Sequence, residues 1–299
     1  MQRLTIAVVA PGDMGHAIGK RLIKGGLRVI TDLTGRSQRS HDLAASAGMD
    51  EVAGNDALLS EAAVILSIMP PSAAVGFAEG LAITARQNPH LPRPLVVDLN
   101  AIAPATATTI ADILAVADLP FIDGGIVGGP PKADDAGPRV YISGTDLAQL
   151  DSLHDAGLDM RPISGGIGAA SGLKMCYASM TKGITALQIE ALVAARALGC
   201  DTDLQAEMAF SQEALLSRAD AWLPASCPKA YRWIGEMEEI AATFQSVGLT
   251  PRTFQGVAEI YRMVERSPLG KETVENRALA KDAKGVADIL AASLPLRKS

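Results

Sequence analysis

The segment LTIAVVAPGDMGHAIGKRLIKGG (Leu4–Gly26) decides the fold class. It opens with a short apolar, β-branched run of the kind that forms a strand buried on both faces. The turn APGDMG follows, and then a helix. In a strand–turn–helix of this spelling, Gly12 lets the backbone approach a pyrophosphate and Gly15 lets the helix pack closely on the strand. The helix N-terminus offers unpaired N–H groups and a partial positive charge to the anion. Ala10 stands where a G-x-G-x-x-G turn has its first glycine, and an alanine fits there if its φ is negative. The alternative is an ordinary βα turn. The strand before and the helix after favour a dinucleotide cradle, with Gly12, Asp13, Met14 and Gly15 as its contacts.

The next strand region, RVITDLTGRSQRS (Arg28–Ser40), bears on the cofactor. Asp32 lies 20 residues after Gly12, where an acid can hold the ribose 2′-hydroxyl of NAD. Gly35-Arg36-Ser37, with Arg39 close behind, reads as a 2′-phosphate nest, because a guanidinium binds phosphate bidentately and stacks on adenine. NADP is therefore expected, held by Arg36 and Ser37, with NAD the alternative.

The first half of the chain alternates strand and helix signals. Apolar runs fall at Thr5–Ala10, Arg28–Asp32, Val64–Met69, Leu95–Leu99, Phe121–Asp123 and Val140–Ser143. Pro70-Pro71 and Pro104 sit where first helical turns tolerate proline. After SGGIGAASG (Ser164–Gly172) strand signals stop. One long helix is expected from Leu173 to about Leu198, then helices near 203–220, 228–247, 250–265 and 271–293. The expected fold is α/β, a doubly wound and mainly parallel sheet over residues 1–165. An all-α domain over 166–299 follows, joined by the long helix.

Composition narrows the function classes. The 299 residues carry 27 Lys+Arg against 33 Asp+Glu, a formal charge of −6 with no basic run, so neither nucleic acid nor an anionic membrane is an expected partner. Three widely spaced cysteines and four scattered histidines predict neither a disulfide framework nor a metal site. No apolar stretch approaches the roughly 20 residues of a membrane span, and the N-terminus does not read as a signal peptide. A cytoplasmic protein is expected.

Several motifs in order carry a family resemblance. APGDMG, ILSIMPP (Ile65–Pro71), VVDLNAIAP (Val96–Pro104), FIDGGIVGGPP (Phe121–Pro131) and GIGAASGLK (Gly166–Lys174) together resemble the β-hydroxyacid dehydrogenases, with 6-phosphogluconate dehydrogenase and the imine reductases as relatives. GLKMCYASMTKGITAL and RWIGEMEEIAATF resemble a subgroup of phosphogluconate-dehydrogenase-like proteins with a poorly characterised helical C-terminal domain. The resemblance spans the whole chain. It implies a Rossmann domain with Met69, Pro70 and Asn100 beside the cofactor. It further implies Asp123, Gly128 and Gly129 beside the substrate, and Lys174 as general acid/base.

The departures from the family pattern matter as much. Asn100-Ala101 replace Ser-Thr, Val127 replaces a serine, Ala178 replaces an asparagine, and Glu238-Glu239 replace Lys-Asp. Tyr177, Ser179 or Thr181 stand near enough on the helix to substitute for that asparagine. Tyr177 reads equally as proton donor or as packing. Glu238 and Glu239, with Glu236 nearby, read either as partners of Lys174 or of a cationic substrate, or as a solvated acidic face. The expected activity is NADP-dependent hydride transfer between the nicotinamide and a secondary alcohol or ketone carbon. Imine reduction and a non-catalytic dinucleotide sensor are the alternatives. A small-molecule substrate and a homodimer are the expected partners.

Overall fold

A computed structural model describes residues 4–132 and 137–295. Its described residues fall into two compact units that divide between Met175 and Cys176.

The first unit is built on β1 (Thr5–Val9), β2 (Arg28–Asp32), β3 (Asp50–Val52), β4 (Val64–Ser67), β5 (Leu95–Asp98), β6 (Phe121–Val127), β7 (Arg139–Ser143) and β8 (Asp159–Pro162). They form one sheet in the order β3-β2-β1-β4-β5-β6-β7-β8, parallel everywhere except between β6 and β7. The doubly wound, mainly parallel sheet expected from the sequence is therefore present. Helices α1 (Asp13–Lys24), α2 (Gln38–Ala47), α3 (Gly54–Glu61), α4 (Pro71–Gln87), α5 (Pro104–Ala115) and α6 (Asp151–Asp155) complete the layers.

Strand alternation explains the two layers. Ile6, Val8, Val64, Leu66, Leu95 and Val97 pack with Ile18 and Leu22 of α1 on one face. Ala7, Val9, Ile65 and Val96 pack with Leu58, Leu81 and Ile110 of α3, α4 and α5 on the other. With both faces covered, the strands must be apolar at every position, which is why they read as unbroken runs.

The strands that the sequence reading missed are β3 and β8, at the two edges of the sheet. β3 spells Asp-Glu-Val, and β8 ends in Arg161-Pro162, both largely exposed. An edge strand needs no apolar face, and a proline costs it no ladder bond.

The remaining helices are α7 (Ala169–Leu198), α8 (Asp201–Ser211), α9 (Glu213–Ser226), α10 (Ala230–Ser246), α11 (Arg252–Arg266) and α12 (Ala283–Ala292). No described strand lies beyond β8. Two helix expectations need correction. The span 203–220 is broken, because Gln212 leaves helical geometry between α8 and α9. The span 271–293 is helical only from Ala283. Before it the Glu272 carboxylate accepts the backbone N–H groups of Ala278 and Leu279, which closes a loop. Asp282 then caps α12 by accepting from the Gly285 N–H at 2.7 Å.

Candidate active site: a dinucleotide crevice and a seated lysine

In the sheet order, β2 and β3 are added on one side of β1 and β4 onwards on the other, so the strand order switches between the parallel neighbours β1 and β4. The loops leaving the carboxyl ends of these two strands run to opposite faces and open a crevice, the usual ligand position in such sheets. The loop after β1 is the APGDMG turn. Gly12 lies just ahead of α1 and has no side chain to spend on the helix's first amides. A Cβ on Gly12 would meet nothing within 4 Å, whereas one on Gly15 would come within 2.6 Å of the Ala10 carbonyl oxygen. The first glycine leaves room for a ligand and the second serves packing, so the turn fits a pyrophosphate. The Met14 side chain packs against the core, which leaves its main chain for a ligand.

The negative φ under which an alanine fits without strain is not what Ala10 adopts. Ala10 has φ +64°, and its carbonyl accepts the Gly12 N–H at 2.7 Å. The turn keeps the left-handed geometry of a glycine and imposes it on an alanine, at a cost of roughly 1–2 kcal/mol.

Around the end of β2, Asp32 is already engaged. Its Oδ1 accepts from the Thr34 N–H at 2.9 Å and the Thr34 hydroxyl at 2.6 Å. Burial pushes its carboxyl up, but the Thr34 bonds, a Gly54 N–H and the Arg36 charge hold it below its ordinary value. Arg36 is exposed. The Ser37 hydroxyl caps α2, accepting from the Ser40 N–H at 3.4 Å. Arg39 reaches across to Asp13 at 2.6 Å and ties α2 to the first turn of α1.

A second group of polar side chains lies under the crevice. Ser67, Asp98, Asp123 and Ser143 are register partners across β4, β5, β6 and β7, and each is at most 2% exposed. Asp98 accepts from the Asn100 N–H at 2.9 Å and from Asn100 Nδ2 at 2.6 Å. The same Nδ2 donates to Ser67 Oγ at 2.8 Å, and Asn100 Oδ1 accepts the Met69 N–H at 2.6 Å. Both amide hydrogens of Asn100 are thus spent inside the protein. Asn100 ties the β4 and β5 loops together, a correction to its reading as a cofactor contact. It thereby fixes the loop carrying Met69 and the exposed Pro70. Burial pushes the Asp98 carboxyl up to about 7, against the pull of the Asn100 bonds and with the push of the Asp123 charge.

Asp123 needs the same correction. It is fully buried, and its carboxylate takes up donors from Ser143, Gly168 and Ser171. All four of these bonds come from within the protein. The neighbouring glycines are spacers. A Cβ on Gly124 would lie 2.5 Å from Leu99, and one on Gly125 would lie 2.8 Å from the Lys174 Cβ and 3.1 Å from the Ala170 carbonyl. Lys174 is therefore seated on β6, one to two turns into α7. Gly168 and Gly172 bring the same helix start against Pro104. Only Gly128 and Gly129 emerge from β6 into an exposed loop, Gly128 with φ +127°. A Cβ on Gly129 would meet nothing within 4 Å.

In the second unit several of the candidates have partners of their own. Ser179 Oγ donates to the Cys176 carbonyl at 2.7 Å, and Thr181 Oγ1 bonds back to Ala178 and Tyr177 carbonyls at 3.3 and 3.4 Å. Both hydroxyls turn onto their own helix. Tyr177 is 44% exposed. Glu236 pairs with Lys182, an ion pair whose side chains are 7% and 16% exposed, and Lys182 also stands 5.5 Å from the Trp233 ring. Glu238 is exposed and pairs with Arg262 of α11. Glu239 is half-buried on the same helix. Among the described residues, no group of three or more His, Cys, Asp or Glu side chains could hold a metal, and no helix is long and apolar enough to cross a membrane.

Sheet order, crevice and glycine turn define a dinucleotide-binding protein. The comparisons specify which kind. The chain belongs to the family of the NAD binding domain of 6-phosphogluconate dehydrogenase, matched over residues 5–156, and residues 195–264 match a domain of unknown function (DUF1932). A solved conserved protein of unknown function, reported as structurally similar to 3-hydroxyacid dehydrogenases, is 28% identical with TM-score 0.64, over 88% of this chain and 97% of that one. The 3-hydroxyisobutyrate dehydrogenase of Salmonella typhimurium is 18% identical with TM-score 0.68, over 96% and 99%. A reductive aminase from Aspergillus terreus, solved with NADPH and ethyl-5-oxohexanoate, is 15% identical with TM-score 0.55, over 91% and 97%. These last two likenesses concern the fold.

Relieving the strain at Ala10 should stabilise the protein. Ala10→Gly is expected to raise unfolding free energy by about 1 kcal/mol, seen as a higher urea midpoint at unchanged slope. An unchanged or lower midpoint contradicts the strained turn.

Proposed function

We propose that the protein is an NADP-dependent oxidoreductase acting on a carbonyl or alcohol carbon, with Lys174 as the proton shuttle. In the reducing direction a bound NADPH would supply the hydride for the carbonyl carbon, and the Lys174 ammonium would protonate the oxygen. The products are NADP and a secondary alcohol, and solvent restores the proton to the lysine. The carrying observation is the seating of Lys174. Its stem lies against Gly125, where no Cβ fits, in the same compact unit as the Gly12–Gly15 cradle. The departures at Val127 and Ala178 keep imine reduction as the nearest alternative, since neither removes the lysine or the cradle. They also motivate the sensor reading.

The occupied state of Asp32 supports NADP over NAD. An acid already holding Thr34 and Gly54 is poorly placed to accept a ribose hydroxyl, while exposed Arg36 lies close by. Gly128 and Gly129 offer the N–H groups for a substrate carbonyl or anion.

We also assign the second unit a pairing role with a second copy of the chain. Along α7, Tyr177, Met180, Ile184, Leu187, Ala191, Ala194 and Leu198 follow a 3-4 spacing, the spacing of a helix–helix seam. Tyr177, Met180, Leu187 and Leu198 are 44–67% exposed, and a cavity of about 680 Å³ opens beside the stripe, lined by Phe244, Phe254 and Val257. On this reading Tyr177 belongs to the seam and not to the chemistry.

Three outcomes follow. With matched ketone and imine panels and NADPH, Lys174→Ala should lose at least about 100-fold in kcat on any substrate the wild type reduces. Undiminished turnover would remove the lysine shuttle, no turnover by the wild type on either panel would favour the sensor, and activity on imines alone would sink the alcohol reading. Arg36→Ala should weaken NADPH binding about tenfold or more with little change for NADH, measured by titration; equal losses argue against a 2′-phosphate contact. Light-scattering molar mass should report a dimer that Leu187→Glu converts to monomer. A wild-type monomer refutes the seam.

A further inference from the structure

Helix α7 begins without a cap of its own. Gly168 precedes it and has no side chain to receive the first-turn amides, four of which every helix leaves unpaired. The sheet receives them instead. Ser143 Oγ accepts the Ala170 N–H at 3.0 Å. Asp123 Oδ2 accepts the Gly168 and Ser171 N–H groups at 3.0 Å each, and Asp123 Oδ1 accepts the Ser171 hydroxyl at 2.5 Å. Ser143 Oγ in turn donates to Asp123 Oδ2 at 3.1 Å, across the β6–β7 register. Two facing strand residues thus form one acceptor cradle for a helix end, and the negative charge meets the positive end of the helix dipole.

The cradle lies close to Lys174 in two directions. Ser171 is three residues before Lys174, so the two share a helix face. Gly125 is two residues beyond Asp123 on β6 and therefore on the same face of the strand, where it meets the lysine stem. A helix held at its first turn by four bonds and seated at its second on a glycine has its rotation fixed. Its lysine is fixed with it.

We propose that Asp123 and Ser143 are the positioning residues of Lys174, acting through the first turn of α7 and not through contact with substrate. The proposal rests on the reading of Lys174 as proton shuttle, but its test does not require a known substrate.

The probe is pulse acetylation of the full-length protein with acetic anhydride across a pH series. Modification of Lys174 is quantified by mass spectrometry, with Lys20 and Lys284 as internal references. Asp123→Ala and Ser143→Ala should change the Lys174 rate, or displace its pH midpoint, by at least about threefold in rate, while the reference lysines stay level. Asp123→Asn retains an oxygen for the Gly168 and Ser171 amides and should recover most of the wild-type profile. A wild-type Lys174 profile in folded Ser143→Ala or Asp123→Ala overturns the proposal, as does failure of Asp123→Asn to differ from Asp123→Ala. Ser143→Ala removes a single acceptor and carries the test should Asp123→Ala not fold.

On any ketone or imine the wild type reduces, Ser143→Ala should lower kcat about tenfold with KM for NADPH within about twofold. Unchanged kcat there also overturns positioning. Full activity in Lys174→Ala would instead overturn the shuttle, and the acetylation result would still decide whether the cradle positions the lysine.

Discussion

The structure of the first unit depends on a single polar rung of its sheet. Ser67, Asp98 and Ser143 close β4, β5 and β7, and Asp123, the third residue of β6, stands in register with Asp98 and Ser143. Around it the central strands are mostly apolar, and buried polar groups are costly unless bonded. Each member of the rung is bonded, and what it bonds is a loop or a helix end. Asp98, through Asn100, holds the loops that border the crevice. Asp123 and Ser143 hold the start of the lysine-bearing helix. The rung turns strand register, which a parallel sheet fixes strongly, into fixed positions for both parts of the candidate site.

Two adjacent buried carboxylates are costly, and the protein distributes the charge unevenly. Asp123 receives four donors and the end of a helix. Asp98 receives bonds only from Asn100 and the neighbouring Ser67, and burial next to the Asp123 charge pushes it up to about 7. Below that pH the Asp98 carboxyl is mostly neutral, which lowers the like-charge cost within the rung. This is the usual resolution for like charges that share a site. It also explains why Asn100 is suited to its position: an amide can accept from Met69 and donate to Asp98 and Ser67 at once, which a hydroxyl in its place cannot match.

Much of this was legible in the sequence, and the reasons differ by element. The central strands were visible because both faces are buried, and the edges β3 and β8 were not because they have no such requirement. The cradle glycines were readable because each has a separate steric duty that leaves a fixed spacing. Lys174 was marked by its place after a glycine-rich entry. The rung was not recognised, although its signal is simple: three apolar runs end in Ser67, Asp98 and Ser143, and a fourth carries Asp123. A polar residue closing a run looks like a loop beginning until register shows the residues aligned. Ala10 was misjudged because sequence gives a residue's cost in left-handed geometry, not whether the turn demands that geometry.

The acidic segment on α10 shows the opposite error, in which spacing suggested a site and packing withdrew it. Glu236 satisfies Lys182 beside Trp233 and Tyr261, and Tyr261 in turn donates to the Lys182 carbonyl at 2.7 Å. Glu238 is bound to Arg262 on the surface. Carboxylates already matched within one helical unit lend little net charge to a neighbouring pocket. The selectivity of the proposed enzyme is therefore better sought at the Gly128-Gly129 amides and the hydroxyl lost at Val127. The family resemblance puts a serine where this chain has Val127. Val127 is itself buried within β6, so the lost hydroxyl is not simply replaced by water at that point. A substrate that relied on it would leave a polar group unpaired, which favours a carbonyl compound with less need for a carboxylate contact than a small hydroxy acid has.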